Sequence, residues 1–182
     1  MGGRKPGPSL RELSKLIRVW DNLEKNPEEA TETLEQAVDK YPDFAPAWGH
    51  LGMAYMQTAR AKDAERALLR AVTLEPRTPG WHLALSTLYK IAVGNAKGLM
   101  ERVERIRRLA EVGVMVPQEL LMAPALREYV AKITLDALGC SYEYARVMAE
   151  GHAKEVFKLS EDRDFIQSAM DNLEDIKRAD EI

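Results

Sequence analysis

The 182-residue chain has 46% hydrophobic and 30% charged residues and a formal net charge of −3. That composition gives enough apolar surface for one domain or a short repeat array, and it excludes a disordered tail. It also excludes a strongly basic surface for nucleic acid and leaves only a mild bias toward a basic partner.

The N-terminus, MGGRKPGPSL, has no apolar run of the kind a secretory signal needs, and Pro6 stands where a myristoylation signal wants Ser or Thr. Residues 1–8, with three Gly and two Pro, are expected to be flexible. No stretch approaches the roughly 18 apolar residues of a membrane span, so a cytoplasmic protein is expected. Cys140 is the single cysteine, which excludes an internal disulfide framework or a cysteine-rich zinc site. It reads as a small buried apolar residue in a reducing compartment.

In chain order, Leu10 to Lys25 is amphipathic, and Pro27 suits the first turn of a second helix carrying Ala30, Leu34 and Ala37. From Ala45 to Thr58, Trp48, Leu51 and Tyr55 form an apolar stripe. Gly52 lies within that stripe and weakens the helix by roughly 1 kcal/mol, which implies close approach of a neighbour. From Ala61 to Leu74, Ala64, Ala67 and Ala71 alternate with Leu68, Val72 and Leu74, and Pro76 ends the helix. Trp81, Leu85 and Tyr89 open another helix. The segment VGNAKG then reads as a turn before LMERVERIRRLAEV, a helix with Leu99, Val103, Ile106 and Leu109 on one face. Beyond Gly113, Pro117 is expected to open a short helix and Pro124 to kink or restart it. Further helices are expected over Ala125–Leu138, over Ser141–Leu159 and, behind a Ser160 N-cap, through Phe165, Ala169, Leu173 and Ile176. No alternating β-branched run predicts a strand. The fold class is all-α.

A 34-residue step runs through this pattern. It relates Ala30 to Ala64, Leu34 to Leu68, Ala37 to Ala71, Pro42 to Pro76, Leu51 to Leu85 and Tyr55 to Tyr89. With Trp48, Leu51, Gly52, Tyr55, Ala64, Leu68, Ala71 and Pro76 at the marked positions, the stretch resembles the tetratricopeptide repeat. Leu68 replaces the usual aromatic, and Trp81 falls one residue before the family position, which His82 occupies. The resemblance covers about residues 9–112, as units over 11–44, 45–78 and 79–112, the first atypical and the third with a divergent second helix. It implies an antiparallel helix-hairpin superhelix, followed by a C-terminal helical segment over 113–182 in which no family is recognised.

In such arrays the first helix of each unit lines a groove. The resemblance places Lys15, Val19 and Asn22, then Gly49, Met53, Met56 and Gln57, then Leu83, Thr87, Lys90 and Ile91 along it. Relatives that clamp a chaperone's terminal carboxylate use Lys and Asn. Lys15 suits that role, but Val19 stands where Asn is wanted, so a chaperone-tail receptor is not expected. A mainly apolar groove with two adaptable methionines suits an amphipathic helix or peptide of another protein.

Catalysis has no positive support. His50, His82 and His152 lack zinc-site spacing, and no metal or cofactor is expected. VGNAKG lacks the ending of a phosphate loop, and no nucleophile elbow is present. The arginines of ERVERIRR are interleaved with Glu101 and Glu104 without aromatics, so nucleic-acid binding is not expected. The expected function is a non-catalytic scaffold, adaptor or assembly factor that binds a protein segment. The alternative is a structural subunit that docks through its C-terminal helices, with the groove filled by its own chain. A homo-oligomer is left open.

Overall fold

The computed structural model describes residues 7–111, Cys140 and residues 142–180. The described residues form seven helices and no strand. These are α1 (Leu10–Asp21), α2 (Pro27–Lys40), α3 (Ala45–Gln57), α4 (Ala61–Leu74), α5 (Pro79–Glu111), α6 (Tyr142–Leu159) and α7 (Arg163–Asp180). The expected helices after Pro117 and over Ala125–Leu138 lie outside the described residues, as does most of the N-terminal segment.

Local sequence sets the helix starts. Ser9 and Glu12 form a capping box on α1: the Glu12 carboxylate accepts from the Ser9 N–H at 2.9 Å, and the Ser9 hydroxyl faces the Glu12 N–H. Pro27 opens α2 at a position where its missing N–H is not needed. Between α3 and α4 the chain turns through Ala59, whose φ of 57° lets the Arg60 N–H reach back to the Tyr55 carbonyl at 2.8 Å. The last helix begins later than its Ser160 cap predicts. Asp162 caps α7, its carboxylate accepting from the Asp164 N–H at 2.9 Å, while the Ser160 hydroxyl accepts from the Asp162 N–H.

Consecutive helices pack on one another from α1 through α7. Leu34, Leu51, Leu68 and Leu85 come one from each of α2 to α5, at 17-residue intervals, and all are buried. Half the repeat length thus carries each helix's central leucine into a continuous core. Gly52 meets the close approach its sequence position implied. A Cβ there would lie 2.5 Å from Leu68 Cγ and 3.2 Å from the Ala64 carbonyl oxygen. The 34-residue step also reproduces hydrogen bonds. Trp48 Nε1 donates to the Pro42 carbonyl at 2.9 Å, and His82 Nε2 is 3.0 Å from the Pro76 carbonyl. The tyrosines one step apart, Tyr55 and Tyr89, both donate to a glutamate of the preceding second helix, Glu35 at 2.7 Å and Glu65 at 2.5 Å, although these acceptors lie 30 residues apart.

The structure corrects the expected turn at VGNAKG, because Pro79–Glu111 is a single 33-residue helix. Gly94 and Gly98 have nothing within 4 Å of an added Cβ, so neither marks a tight packing point or a strained backbone. Each weakens the helix by only about 1 kcal/mol, which packing elsewhere on α5 overrides. The antiparallel partner of α5 is α6. His82 meets His152, the Ser86 hydroxyl donates to the Ala149 carbonyl at 3.0 Å, and the Tyr89 ring meets Tyr144 edge-on at 6.2 Å. Helix α7 then runs parallel to α5, with Gly80 near Phe165, Thr87 bonded to Asn172 and Lys90 paired with Asp175. The C-terminal helices thereby continue the alternation of the repeat. α6 stands where a third second-helix belongs, and α7 where the next first-helix would stand.

Candidate partner-binding site

The expected groove positions fall on α1, α3 and α5, and their surroundings differ from helix to helix. On α1, Lys15 and Asn22 are exposed, Val19 is half-buried, and the Asn22 amide donates to the Arg18 carbonyl at 2.8 Å. On α3, Met53 and Met56 are half-buried against the core, and Gln57 is exposed. Gly49 is buried because the Trp81 ring occupies the space its Cβ would need, at 2.4 Å. That contact joins the start of α5 to the middle of α3 and gives Gly49 a packing role.

On α5 the positions are engaged by the chain's own C-terminus. Leu83 packs with Phe165, Ala169 and Leu173 of α7 and Ala153 and Val156 of α6. The Asn172 amide, nearly buried, donates to both Ser86 and Thr87 at 3.1 Å. The Lys90 ammonium lies 3.2 Å from Asp175. Ile91 remains 45% exposed. The eleven expected residues therefore divide. Of those before α5, Lys15, Asn22 and Gln57 are exposed and Val19, Met53 and Met56 half-buried, while Leu83, Thr87 and Lys90 hold α7.

An aromatic row that sequence patterning did not single out connects the three first-type helices. Trp20 of α1 stacks on His50 of α3 with centroids 4.1 Å apart and planes within 8°, and His50 meets the edge of Trp81 at 5.5 Å. His50 Nδ1 is 2.8 Å from the Pro46 carbonyl, which can only accept, so the proton sits on Nδ1. Burial holds the His50 pKa below the ordinary imidazole value. Both indole N–H groups are buried without a hydrogen-bond partner among the described residues, so packing and ring contact hold the row together. The sequence signal was the near-register of Trp20, His50 and Trp81 at intervals of 30 and 31 residues, slightly short of the repeat step.

Among the described residues, no three His, Cys, Asp or Glu side chains gather in a group that could hold a metal. Burial raises the Cys140 pKa, which disfavours the nucleophilic thiolate at neutral pH. The Tyr55 hydroxyl is pushed up to about 12 by burial and by Glu35, and it acts as a structural donor. No helix among the described residues is long and apolar enough to cross a membrane.

Comparison with known proteins agrees with this geometry. Residues 23–88 match the family model of the tetratricopeptide repeat. The cytochrome c-type biogenesis protein CycH of Pseudomonas aeruginosa is 42% identical over 64 residues. That stretch is 35% of this chain and 16% of CycH, so the chain spans a small part of the relative it matches. No solved structure matches the chain.

Proposed function

Residues 23–88 are tetratricopeptide repeats, and from that premise we propose that the chain is a non-catalytic adaptor or assembly factor. It holds an apolar segment of another protein against α1 and α3. The observation that carries this reading is the contrast along the groove positions. Val19, Met53 and Met56 lie half-buried beside the Trp20–His50–Trp81 row, whereas the equivalent α5 positions are occupied by α7. An amphipathic helix or peptide suits this surface, since methionines adapt to an irregular apolar face. Each apolar side chain it buries there contributes roughly 1.5–3 kcal/mol before the entropic cost of association. The partial likeness to a biogenesis protein supports an assembly role, and the single cysteine supports a reducing, cytoplasmic setting.

A second reading rests on the outer face of α6, where Tyr144 is 46% and Val147 59% exposed. In that reading the chain is a subunit of a larger complex and docks through α6. One experiment separates the two. Partner capture from native lysate is compared for the wild type, a Met53→Glu, Met56→Glu double variant and Val147→Glu, with circular dichroism to establish folding. The groove reading predicts at least a tenfold loss in the methionine variant alone. Loss confined to Val147→Glu transfers the site to α6, and retention in a folded methionine variant overturns the groove.

A further inference from the structure

The junction of α5 and α6 contains a pair of imidazoles in direct contact, His82 and His152. His82 occupies the repeat position of Trp48 and makes the equivalent contact, Nε2 to the Pro76 carbonyl at 3.0 Å. A carbonyl oxygen only accepts, so the His82 proton sits on Nε2 and its Nδ1 is a lone pair. His152 Nδ1, 3.0 Å away, must then donate to it. This leaves His152 Nε2 as a lone pair, and that atom is buried without a hydrogen-bond partner among the described residues.

The arrangement suits two neutral rings and resists a third proton. A proton added to His152 Nε2 creates a buried N–H with no acceptor. A proton added to His82 Nδ1 opposes two N–H groups, unless His152 moves its own proton to the same buried Nε2. Burial first, and the neighbouring His82 second, hold the His152 pKa at about 4.

The surrounding groups do not offset this. Tyr89 of α5 presents its ring parallel to His152 at 6.3 Å, and its hydroxyl is committed to Glu65 of α4. Glu155, on α6 itself, favours the charged imidazole, but its carboxylate is paired with Lys158 at 2.6 Å. From α7, Phe165, Ala169 and Leu173 pack on the adjoining Ala153 and Val156.

We propose that the His82–His152 pair is an acid-sensitive latch. Neutral, it favours docking of α6 and α7 on α5; protonated, it weakens that docking. The latch is independent of which protein the α1–α3 surface holds.

The direction follows from linkage. The docked state binds the proton more weakly than the free imidazole of ordinary pKa 6.5, so docking is full above that value. It weakens as pH falls from 6.5 toward about 4. At pH 5.5 the docking equilibrium should fall by about tenfold for one such group. Hydrogen exchange of the full chain at pH 7.5 and 5.5, corrected for intrinsic exchange, reads this directly. The latch predicts that protection over 142–180 drops by about tenfold while α2–α4 keep theirs, and that His152→Phe loses this pH dependence. An unchanged 142–180 segment, a uniform loss along the chain, or the same loss in a folded His152→Phe overturns it. If that variant fails to fold, nitrogen-15 NMR of the wild type decides. A His152 titration near 4 with its proton on Nδ1 supports the latch, and a titration near 6.5 refutes it.

Discussion

At the scale of single residues, the fold depends on small side chains that admit large ones. Gly52 illustrates this best, because Leu68 occupies the space a Cβ would need and the Ala64 carbonyl closes the other side. Both neighbours belong to the same facing helix, and Leu68 is buried, so it has little room to retreat. Gly52→Ala would gain up to about 1 kcal/mol in helix propensity and lose about 1–3 kcal/mol to overpacking. The net expectation is destabilisation, measured as a lower denaturation midpoint with an unchanged denaturant slope. A raised midpoint would mean that α3 and α4 are not in contact at this point. Gly49 differs in kind, since its neighbour is Trp81 of α5. The 34-residue step made Gly52 legible from sequence, because the pattern of small and large residues is local to one hairpin. Gly49 was read as groove surface because the residue that covers it comes from the next unit and lies one position off the family register. The Trp20–His50–Trp81 row was missed for the same reason.

At the scale of elements, α1 and α5 depart from the regular hairpin in opposite ways. Helix α1 buries Leu16 in the core and is tied to the end of α2 by a charged contact as well. Glu12 accepts from Lys40 at 2.6 Å and from the Tyr41 hydroxyl at 2.5 Å while completing the capping box. Lys40, then Ser9 and Tyr41, hold the Glu12 carboxyl well below the usual carboxylate range. A carboxylate with a depressed pKa stabilises fully above its ordinary value of 4.5 and loses that contribution as pH falls below it. Glu12→Gln should therefore raise hydrogen exchange over residues 10–21 at neutral pH, with α3 and α4 unchanged, and should reduce the response of α1 to acid. Equal protection of α1 in the variant would show that apolar contacts alone hold it. Helix α5 was legible in its first half, where Trp81, Leu85 and Tyr89 keep the repeat spacing. Its continuation was not, because VGNAKG has the composition of a turn. Composition cannot register that the partner helix lies beyond residue 140. Once α6 supplies that partner, nothing requires α5 to reverse at Gly94.

At the scale of the whole molecule, the described helices form a single alternating series. Helices α6 and α7 continue it, with Ala145, Ala149 and Ala153 of α6 fully buried. Such long-range pairing leaves little trace in a 34-residue period. The alanines at four-residue intervals and the buried Asn172 are its local signs, and both are also ordinary features of a helix face. On α5, Leu83, Thr87 and Lys90 are engaged by α7, and the proposed partner surface therefore lies on α1 and α3. Site-specific photo-crosslinking tests this most directly, with the reactive group placed in turn at Lys15, Gln57, Val147 and Gln167 of the full chain. The account predicts that one partner is captured from Lys15 and Gln57 and not from Val147 or Gln167. Capture from Val147 or Gln167 alone would contradict it and place the binding surface on the C-terminal helices.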